Sequence, residues 1–181
     1  MSKINSPSEM LATLHDIHTR SQQRAAELSQ HDRHGSWTTI GFRIGEEHLL
    51  APLNETREIF TVPKQITLVP RAQPWVYGAA NLRGELLPLF DLKHFLTGQA
   101  TKVTKRSRIV ISNHSDLYSG LLLDEVFGLK HFPAMPEYKE DHSGKAISPY
   151  ITASIDQHDI QWKVFSFEKL LSDQRFLNAA A

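Results

Sequence analysis

From residue 37 onward the sequence is dominated by short segments in which apolar and polar residues alternate, separated by turn residues. The alternation has a period of two from Trp37 to Ile44, and it resumes at His48–Pro52 after Gly45-Glu46-Glu47. Two such runs joined by a short turn are typical of a β-hairpin. Turn residues recur about every 8–12 residues in the rest of the chain, which predicts a mainly β protein built as small barrels or a sandwich.

The same pattern predicts further strands and two short helices. The strands are Thr56–Phe60, Ile66–Val69, Ala79–Leu82, Leu86–Asp91, Arg108–Ser112, Leu117–Leu123, Val126–Phe132, Tyr150–Ile155 and Ile160–Phe165. Helices are predicted at Leu92–Leu96 and at Ser166–Ser172, where Ser166 is a favourable N-cap. The blocks 37–92 and 107–165 both begin with a strand, a turn and a second strand, which favours two similar lobes.

Residues 6–30 carry the pattern of one amphipathic helix. Ser6 is placed as the N-cap, Pro7 at the first helical position and Glu9 as the second half of a capping box. The apolar positions are Met10, Leu11, Leu14, Ile17, Ala25 and Leu28. Such a helix either docks on a partner or packs its apolar stripe on the β-domain, and the sequence leaves both possibilities open.

Composition excludes several classes of site. Lys+Arg and Asp+Glu each number 20 in 181 residues, so the formal net charge is zero, whereas nucleic-acid-binding proteins usually carry a basic excess. The chain has no cysteine, which excludes disulfides, thiolate metal ligands and a thiol nucleophile. No apolar run approaches the about 18–20 residues of a membrane span, and the N-terminus lacks the apolar stretch of a secretory signal. We therefore expect a soluble cytoplasmic protein.

The sequence contains no recognisable catalytic or metal-binding constellation. Asp124 and Glu125 are adjacent, and neighbours in a strand point to opposite faces, so they do not form an acid–base pair unless a bulge intervenes. His31 and His34 have no third ligand nearby. The chain also lacks a glycine-rich phosphate loop and a nucleophile elbow. We expect no enzymatic activity, no metal and no cofactor.

One turn carries a residue that the turn does not require. In the stretch GAANLRGELLPLFDL, residues 78–92, Asn81 and Gly84 are typical turn residues, but Arg83 between them is not. The preferred partner for this arginine is the carboxylate of Glu58, in the apolar segment 57–62. The ion pair either braces one lobe or presents a guanidinium to a partner. Composition does not decide between these two roles.

Two motifs in this order and spacing resemble the CheW-like adaptor domain of bacterial chemotaxis arrays. The first is Gly78-x-x-Asn81-Leu82-Arg83-Gly84, followed by Leu87-Pro88 and Asp91-Leu92. The second is Leu123-Asp124-Glu125-Val126-x-Gly128. The resemblance covers residues about 37–172. Within the family, the extension at 1–36 and the segments 37–52, 127–132 and 162–165 are most similar to the adaptor of type IV pilus (twitching motility) systems.

The resemblance implies a fold of two five-stranded SH3-like barrels, interlocked around a common core. It places a helical extension and linker at 1–36 and the CheW-like domain at 37–176, with lobes at about 37–96 and 107–172 that exchange strands. It also implies a non-catalytic adaptor that couples the cytoplasmic tip of a methyl-accepting chemoreceptor to the regulatory domain of a CheA-type histidine kinase. Recruitment to membrane-associated receptor arrays is expected, without direct membrane insertion and without nucleic acid.

The resemblance also implies roles for single residues. Receptor-binding positions of the family fall on Arg83, Glu58, Thr56, Gly78, Val126 and Leu129, whereas Asn81, Gly84, Asp91 and Asp124 are structural residues of the motifs. The alternative function, from another class, is that of a small barrel that binds nucleic acid, which requires exposed aromatic residues among basic ones.

Overall fold

The computed structural model describes residues 36–113 and 118–179, and these residues form two five-stranded sheets. The strands are β1 (Trp37–Ile44), β2 (Glu47–Pro52), β3 (Thr56–Thr61), β4 (Val76–Leu82), β5 (Glu85–Asp91), β6 (Arg108–Ser112), β7 (Gly120–Leu123), β8 (Glu125–Phe132), β9 (Ile151–Gln157) and β10 (Ile160–Phe165). The helices are α1 (Leu92–Thr97), α2 (Phe167–Leu171) and α3 (Gln174–Leu177), with 3₁₀ turns at Leu53–Glu55 and Ser148–Tyr150.

The second sheet is formed by one continuous segment, β3 to β7, and the first sheet by the strands on either side of it. The first sheet has the order β8-β1-β2-β10-β9, and the second has the order β3-β6-β7-β5-β4. Most neighbours are antiparallel, but β10 pairs with β2 in parallel and β5 pairs with β7 in parallel. The chain therefore crosses from the first sheet to the second after β2, and it returns after β7.

Both sheets bury residues in one apolar core. Phe42 and Leu49 from the first sheet and Phe90 and Leu121 from the second belong to this shared core, to which the C-terminal helices add Phe167, Leu170, Leu171 and Phe176. A smaller cluster lies within the second sheet, around Leu87, Leu89 and Ile109. The predicted fold class is confirmed: the chain is mainly β, with two five-stranded sheets that share a core. The helix predicted at 6–30 lies outside the described residues.

One predicted strand is wrong. Residues 66–69 do not form a strand, because only Thr67 pairs with β4, through reciprocal backbone hydrogen bonds of 2.8 Å with Ala79. The register of β4 shifts between Val76 and Gly78, and Pro70 has no N–H to donate, so the pairing does not extend. Conversely, β4 begins at Val76, before the predicted Ala79.

The chain divides into two compact units. The larger one, Thr38–His131 together with Pro136–Ala181, contains the shared core described above. The described part of the smaller one is Ser36, Trp37 and Phe132–Met135, in which the ring centroids of Trp37 and Phe132 lie 5.7 Å apart. Across the described ranges, no helix has the length and apolar character that a membrane crossing requires.

A hydrogen-bonded triad attaches the C-terminal segment to the core. The Tyr150 hydroxyl donates to Asp173 Oδ2 at 2.6 Å, and Arg175 Nη2 donates to the same oxygen at 2.8 Å. Phe176, in the following helix α3, is 1% exposed and packs on Phe90 and Phe95. The hydrogen bonds from Arg175 are the largest cause that lowers the pKa of the Asp173 carboxyl below its ordinary value of 3.8.

We predict that Asp173→Asn destabilises the protein at neutral pH. A carboxylate whose pKa is lowered in the folded state contributes stability above its unfolded pKa, and this contribution is lost as the pH falls through the folded value. Charged hydrogen bonds of this kind contribute about 1.5–3 kcal/mol. Urea unfolding at pH 7 should show a loss of that size, and the difference from wild type should shrink as the pH falls below 3.8.

Asp156→Asn, at an exposed position of β9, is the matched control and should leave the free energy of unfolding unchanged. Equal stability of wild type and Asp173→Asn at pH 7 would show that the triad does not attach the C-terminus.

Candidate functional site

Arg83 has a left-handed backbone conformation, which glycine and asparagine adopt more readily than arginine. Leu82 pairs with Glu85, so Arg83 and Gly84 form a two-residue hairpin loop between β4 and β5, with φ values of 55° and 91°. Asn81 Oδ1 accepts the Gly84 N–H at 2.9 Å. Two successive positive φ values are typical of a type I′ turn, for which Asn-Gly is the preferred pair. A left-handed residue with a side chain costs about 1–2 kcal/mol.

The expected ion pair between Arg83 and Glu58 is confirmed. Arg83 Nη2 lies 2.5 Å from Glu58 Oε1 and Nη1 lies 3.3 Å from Oε2, so the contact is bidentate. It joins β3 to the β4–β5 turn, which belong to opposite ends of the strand order of the second sheet. The Arg83 side chain is 75% exposed and that of Glu58 is 31% exposed.

Two energies bear on whether the ion pair braces the sheet. An exposed ion pair contributes about 0–1 kcal/mol to stability. This is no larger than the cost of the left-handed backbone at Arg83. The energy of the ion pair therefore does not account for an arginine in this turn, and the guanidinium that Glu58 orients remains exposed.

Thr56 and Gly78 lie in the same sheet as this ion pair, and both are less accessible. Thr56 is half-buried at the start of β3, and its Oγ1 is buried with no hydrogen-bond partner among the described residues. Gly78 is buried, and a Cβ there would lie 2.5 Å from Ile66 Cγ2 and 2.7 Å from the Thr67 carbonyl oxygen. A side chain at position 78 would thus prevent the 66–67 segment from packing on β4.

Val126 and Leu129 lie in the first sheet, on β8. Val126 is half-buried and packs against the shared core. Leu129 is 58% exposed, and the neighbouring Phe127 is 38% exposed. The structure therefore brings Arg83 and Glu58 together, and it places Val126 and Leu129 on a strand of the other sheet. The receptor-binding role of all six predicted residues stays a prediction.

The motif residues Asp91 and Asp124 make internal contacts. Asp91 is buried and caps α1 by accepting the His94 N–H at 3.0 Å, and it also accepts the backbone N–H and the hydroxyl of Thr101. Asp124 lies between β7 and β8, where it accepts the Gly45 N–H at 2.6 Å. Asp91 thus ties the end of β5 to the loop after α1, and Asp124 ties the end of β7 to a turn distant in sequence.

Sequence reasoning missed Glu55, which lies where the chain crosses from β2 to β3. Its Oε2 accepts the N–H of Phe167 at 2.5 Å and that of Glu168 at 3.2 Å, at the start of α2. Its backbone carbonyl accepts the N–H of Asn113, at the end of β6. Burial raises the pKa of the Glu55 carboxyl, although these N–H groups act in the opposite direction. No local signal marks this residue, because the partners of its carboxylate lie over a hundred residues away.

Two surface cavities lie apart from the ion pair between Arg83 and Glu58. One, of about 320 Å³, is lined by residues that include Glu55 and Asn113. The other, of about 500 Å³, is lined by residues that include Asp141 and Lys163. Neither is lined by Arg83 or Glu58. Among the described residues, no group of three or more His, Cys, Asp or Glu side chains is arranged to hold a metal ion.

Comparison with known proteins shows which class this architecture belongs to. The model of the CheW-like domain matches residues 38–175. The scaffolding protein TtCheW from Thermoanaerobacter tengcongensis has a similar fold, with a TM-score of 0.64 and 20% sequence identity, over 77% of this chain and 94% of that one. The chain belongs to the CheW-like domain family.

Among curated relatives, the chain is 36% identical to the protein PilI of Pseudomonas aeruginosa over 183 residues, which is 99% of both chains. It is also 32% identical to the chemotaxis protein CheW of Helicobacter pylori over 113 residues, or 62% of this chain and 68% of that protein. The protein FrzA of Myxococcus xanthus is 28% identical over 74% of this chain and 84% of its own length.

We predict that Arg83→Asn leaves the protein as stable as wild type, or up to about 1 kcal/mol more stable. Asparagine tolerates the left-handed conformation better than arginine, and the lost ion pair contributes only about 0–1 kcal/mol. The free energy of unfolding in urea measures this. Glu58→Gln, which removes the ion pair and keeps the turn, reports the contribution of the pair alone. A loss well above 1 kcal/mol in Arg83→Asn would mean that Arg83 braces the sheet.

Proposed function

We propose that this protein is a non-catalytic adaptor that couples the cytoplasmic tip of a methyl-accepting chemoreceptor to the regulatory domain of a CheA-type histidine kinase. Membership of the CheW-like family supports this, as do relatives named as chemotaxis proteins and a scaffolding protein of similar fold. The observation that carries the proposal is the exposed guanidinium of Arg83, held by Glu58 in a turn that does not require it.

The receptor contact has a polar part. A guanidinium has five N–H donors, and the two bonds to Glu58 leave others for a partner. Because the carboxylate holds the guanidinium plane in one orientation, less side-chain entropy is lost when a partner binds. Backbone carbonyls or carboxylates of a receptor tip are suitable acceptors.

The receptor contact also has an apolar part. Leu129 and Phe127 expose apolar surface on β8. An amphipathic helix buries its i, i+3, i+4 face against such a surface. In this proposal the tip of the receptor hairpin lies between the two sheets, where it meets Leu129 on the first sheet and Arg83 on the second. Thr56, Gly78 and Val126 then support this contact surface from less exposed positions.

We further propose that the signalling output is type IV pilus twitching motility. Similarity to PilI over 99% of both chains supports this assignment, because it includes the N-terminal extension that lies before the CheW-like domain. Contacts in signalling arrays are individually weak, and repetition strengthens them. The adaptor would reach the membrane through its receptor. No observation favours the nucleic-acid-binding alternative, since basic and acidic residues number 20 each.

We predict that Arg83→Ala weakens binding of the full chain to the cytoplasmic tip of its receptor by about 10–100-fold, since a lost charged hydrogen bond costs about 1.5–3 kcal/mol. Isothermal titration calorimetry with a receptor tip fragment measures the affinity, and thermal melting checks the fold. Arg71→Ala is the matched control, because Arg71 is also exposed and also has a φ of 55°. Receptor affinity that is the same for wild type and Arg83→Ala would refute the assigned role.

A further inference from the structure

The chain returns from the second sheet to the first within a single residue. β7 ends at Leu123 in the second sheet, and β8 begins at Glu125 in the first, so that only Asp124 lies between them. Two adjacent carboxylates thus stand at the point where the sheets are joined. The sequence placed both acids in the second motif but did not indicate their partners.

Glu125 forms an ion pair with a residue on each side of the junction. Its Oε2 lies 3.3 Å from Arg43 Nη2, on β1 of the first sheet. Its Oε1 lies 3.4 Å from Arg106 Nη1, which precedes β6 of the second sheet. The side chains of Glu125 and Arg43 are 16% and 33% exposed, so solvent screens this pair less than the pair at Arg83, whereas the Arg106 side chain is 76% exposed.

Asp124 also contacts both sides of the junction. Its Oδ2 accepts the N–H of Gly45 at 2.6 Å, in the β1–β2 turn of the first sheet. Its Oδ1 lies 3.8 Å from Lys93 Nζ, on α1, which directly follows β5 of the second sheet. Arg43 Nη1 donates to the Gly45 carbonyl oxygen at 2.5 Å, which joins the contacts of the two acids into one network.

These polar contacts differ in kind from the apolar core that the sheets share. Burial of apolar surface is non-directional and is compatible with a range of angles between two packed layers. Charge-assisted hydrogen bonds have preferred distances and angles. Partly buried ion pairs add little net stability compared with apolar contacts, but removing one partner leaves charges unpaired. Their principal effect at this junction is therefore on geometry.

We propose that Asp124, Glu125, Arg43 and Arg106 form a clamp that sets the orientation of the two sheets and so positions the receptor-binding residues. This role rests on the proposed function: the clamp holds Arg83 and Leu129 at the spacing that one receptor tip requires. Leu129 follows Glu125 by four residues on β8, so a movement at the clamp displaces it relative to the second sheet. The four clamp residues are positioning residues that do not themselves contact the receptor.

The first test measures the geometry of the sheets directly and does not depend on the function. Because the chain has no cysteine, nitroxide labels can be attached to two introduced ones, Thr61→Cys on β3 and Asp156→Cys on β9. Electron-electron double resonance then reports the distance between the sheets. Glu125→Gln should shift or widen the distance distribution by about 1–2 Å, as expected for a small rearrangement of packed elements. Glu137→Gln, at an exposed position, is the matched control.

A second variant keeps the test decisive if Glu125→Gln folds poorly. Arg106→Gln removes only the exposed arm of the clamp, and it should change the distances in the same direction by a smaller amount. If the distributions of Glu125→Gln and Arg106→Gln both coincide with that of the parent protein, the clamp does not set the orientation of the sheets.

The second test measures affinity for the receptor tip. Glu125→Gln should weaken binding about 2–30-fold, which is the range for substitutions that change affinity without contacting the ligand. A changed distance with unchanged affinity overturns the positioning role. If the unmodified protein does not bind the receptor tip, the proposed function fails, and the distance measurement still supports or overturns the clamp.

Discussion

Burial of one apolar core by both sheets is the interaction on which the rest of the structure depends. Phe42 and Leu49 reach this core from the first sheet, and Phe90 and Leu121 reach it from the second. Since β1 and β2 pair with strands from the end of the chain, the first sheet is completed only after the second has been synthesised. The second sheet is one continuous segment, β3 to β7, whereas the first sheet is formed by strands on both sides of it. Because the two sheets share one core, we expect them to fold as one cooperative unit.

The two places where the chain passes between the sheets carry buried or half-buried carboxylates. At the first, Glu55 caps α2 while its backbone holds the end of β6. At the second, Asp124 and Glu125 contact groups from both sheets. A junction is where backbone groups lose their ladder partners, so side chains must satisfy them. At both junctions these polar groups thus supply directional contacts, which burial of apolar surface does not.

At Arg83, the cost of the left-handed backbone can be compared with the contribution of the ion pair. The left-handed backbone at Arg83 costs at least as much free energy as the exposed ion pair with Glu58 contributes to stability. The fold thus does not require an arginine at this position, and its side chain remains 75% exposed. Gly78 shows the opposite case: it belongs to the same motif, but the close approach of Ile66 and Thr67 accounts for it within the fold.

Most of the strands, the turn at Asn81–Gly84 and the cap at Ser166 could be predicted from the sequence, because side-chain alternation and turn preferences are local properties. It also identified the Arg83–Glu58 pair, through one motif and one nearby acid. It did not reveal that 66–69 forms only an isolated bridge, since that depends on the register of β4. Only the folded structure reveals which strands share a sheet and which partners Glu55, Asp124 and Glu125 contact. Those contacts join residues distant in the chain, and their pairing follows from how the two sheets close around a common core.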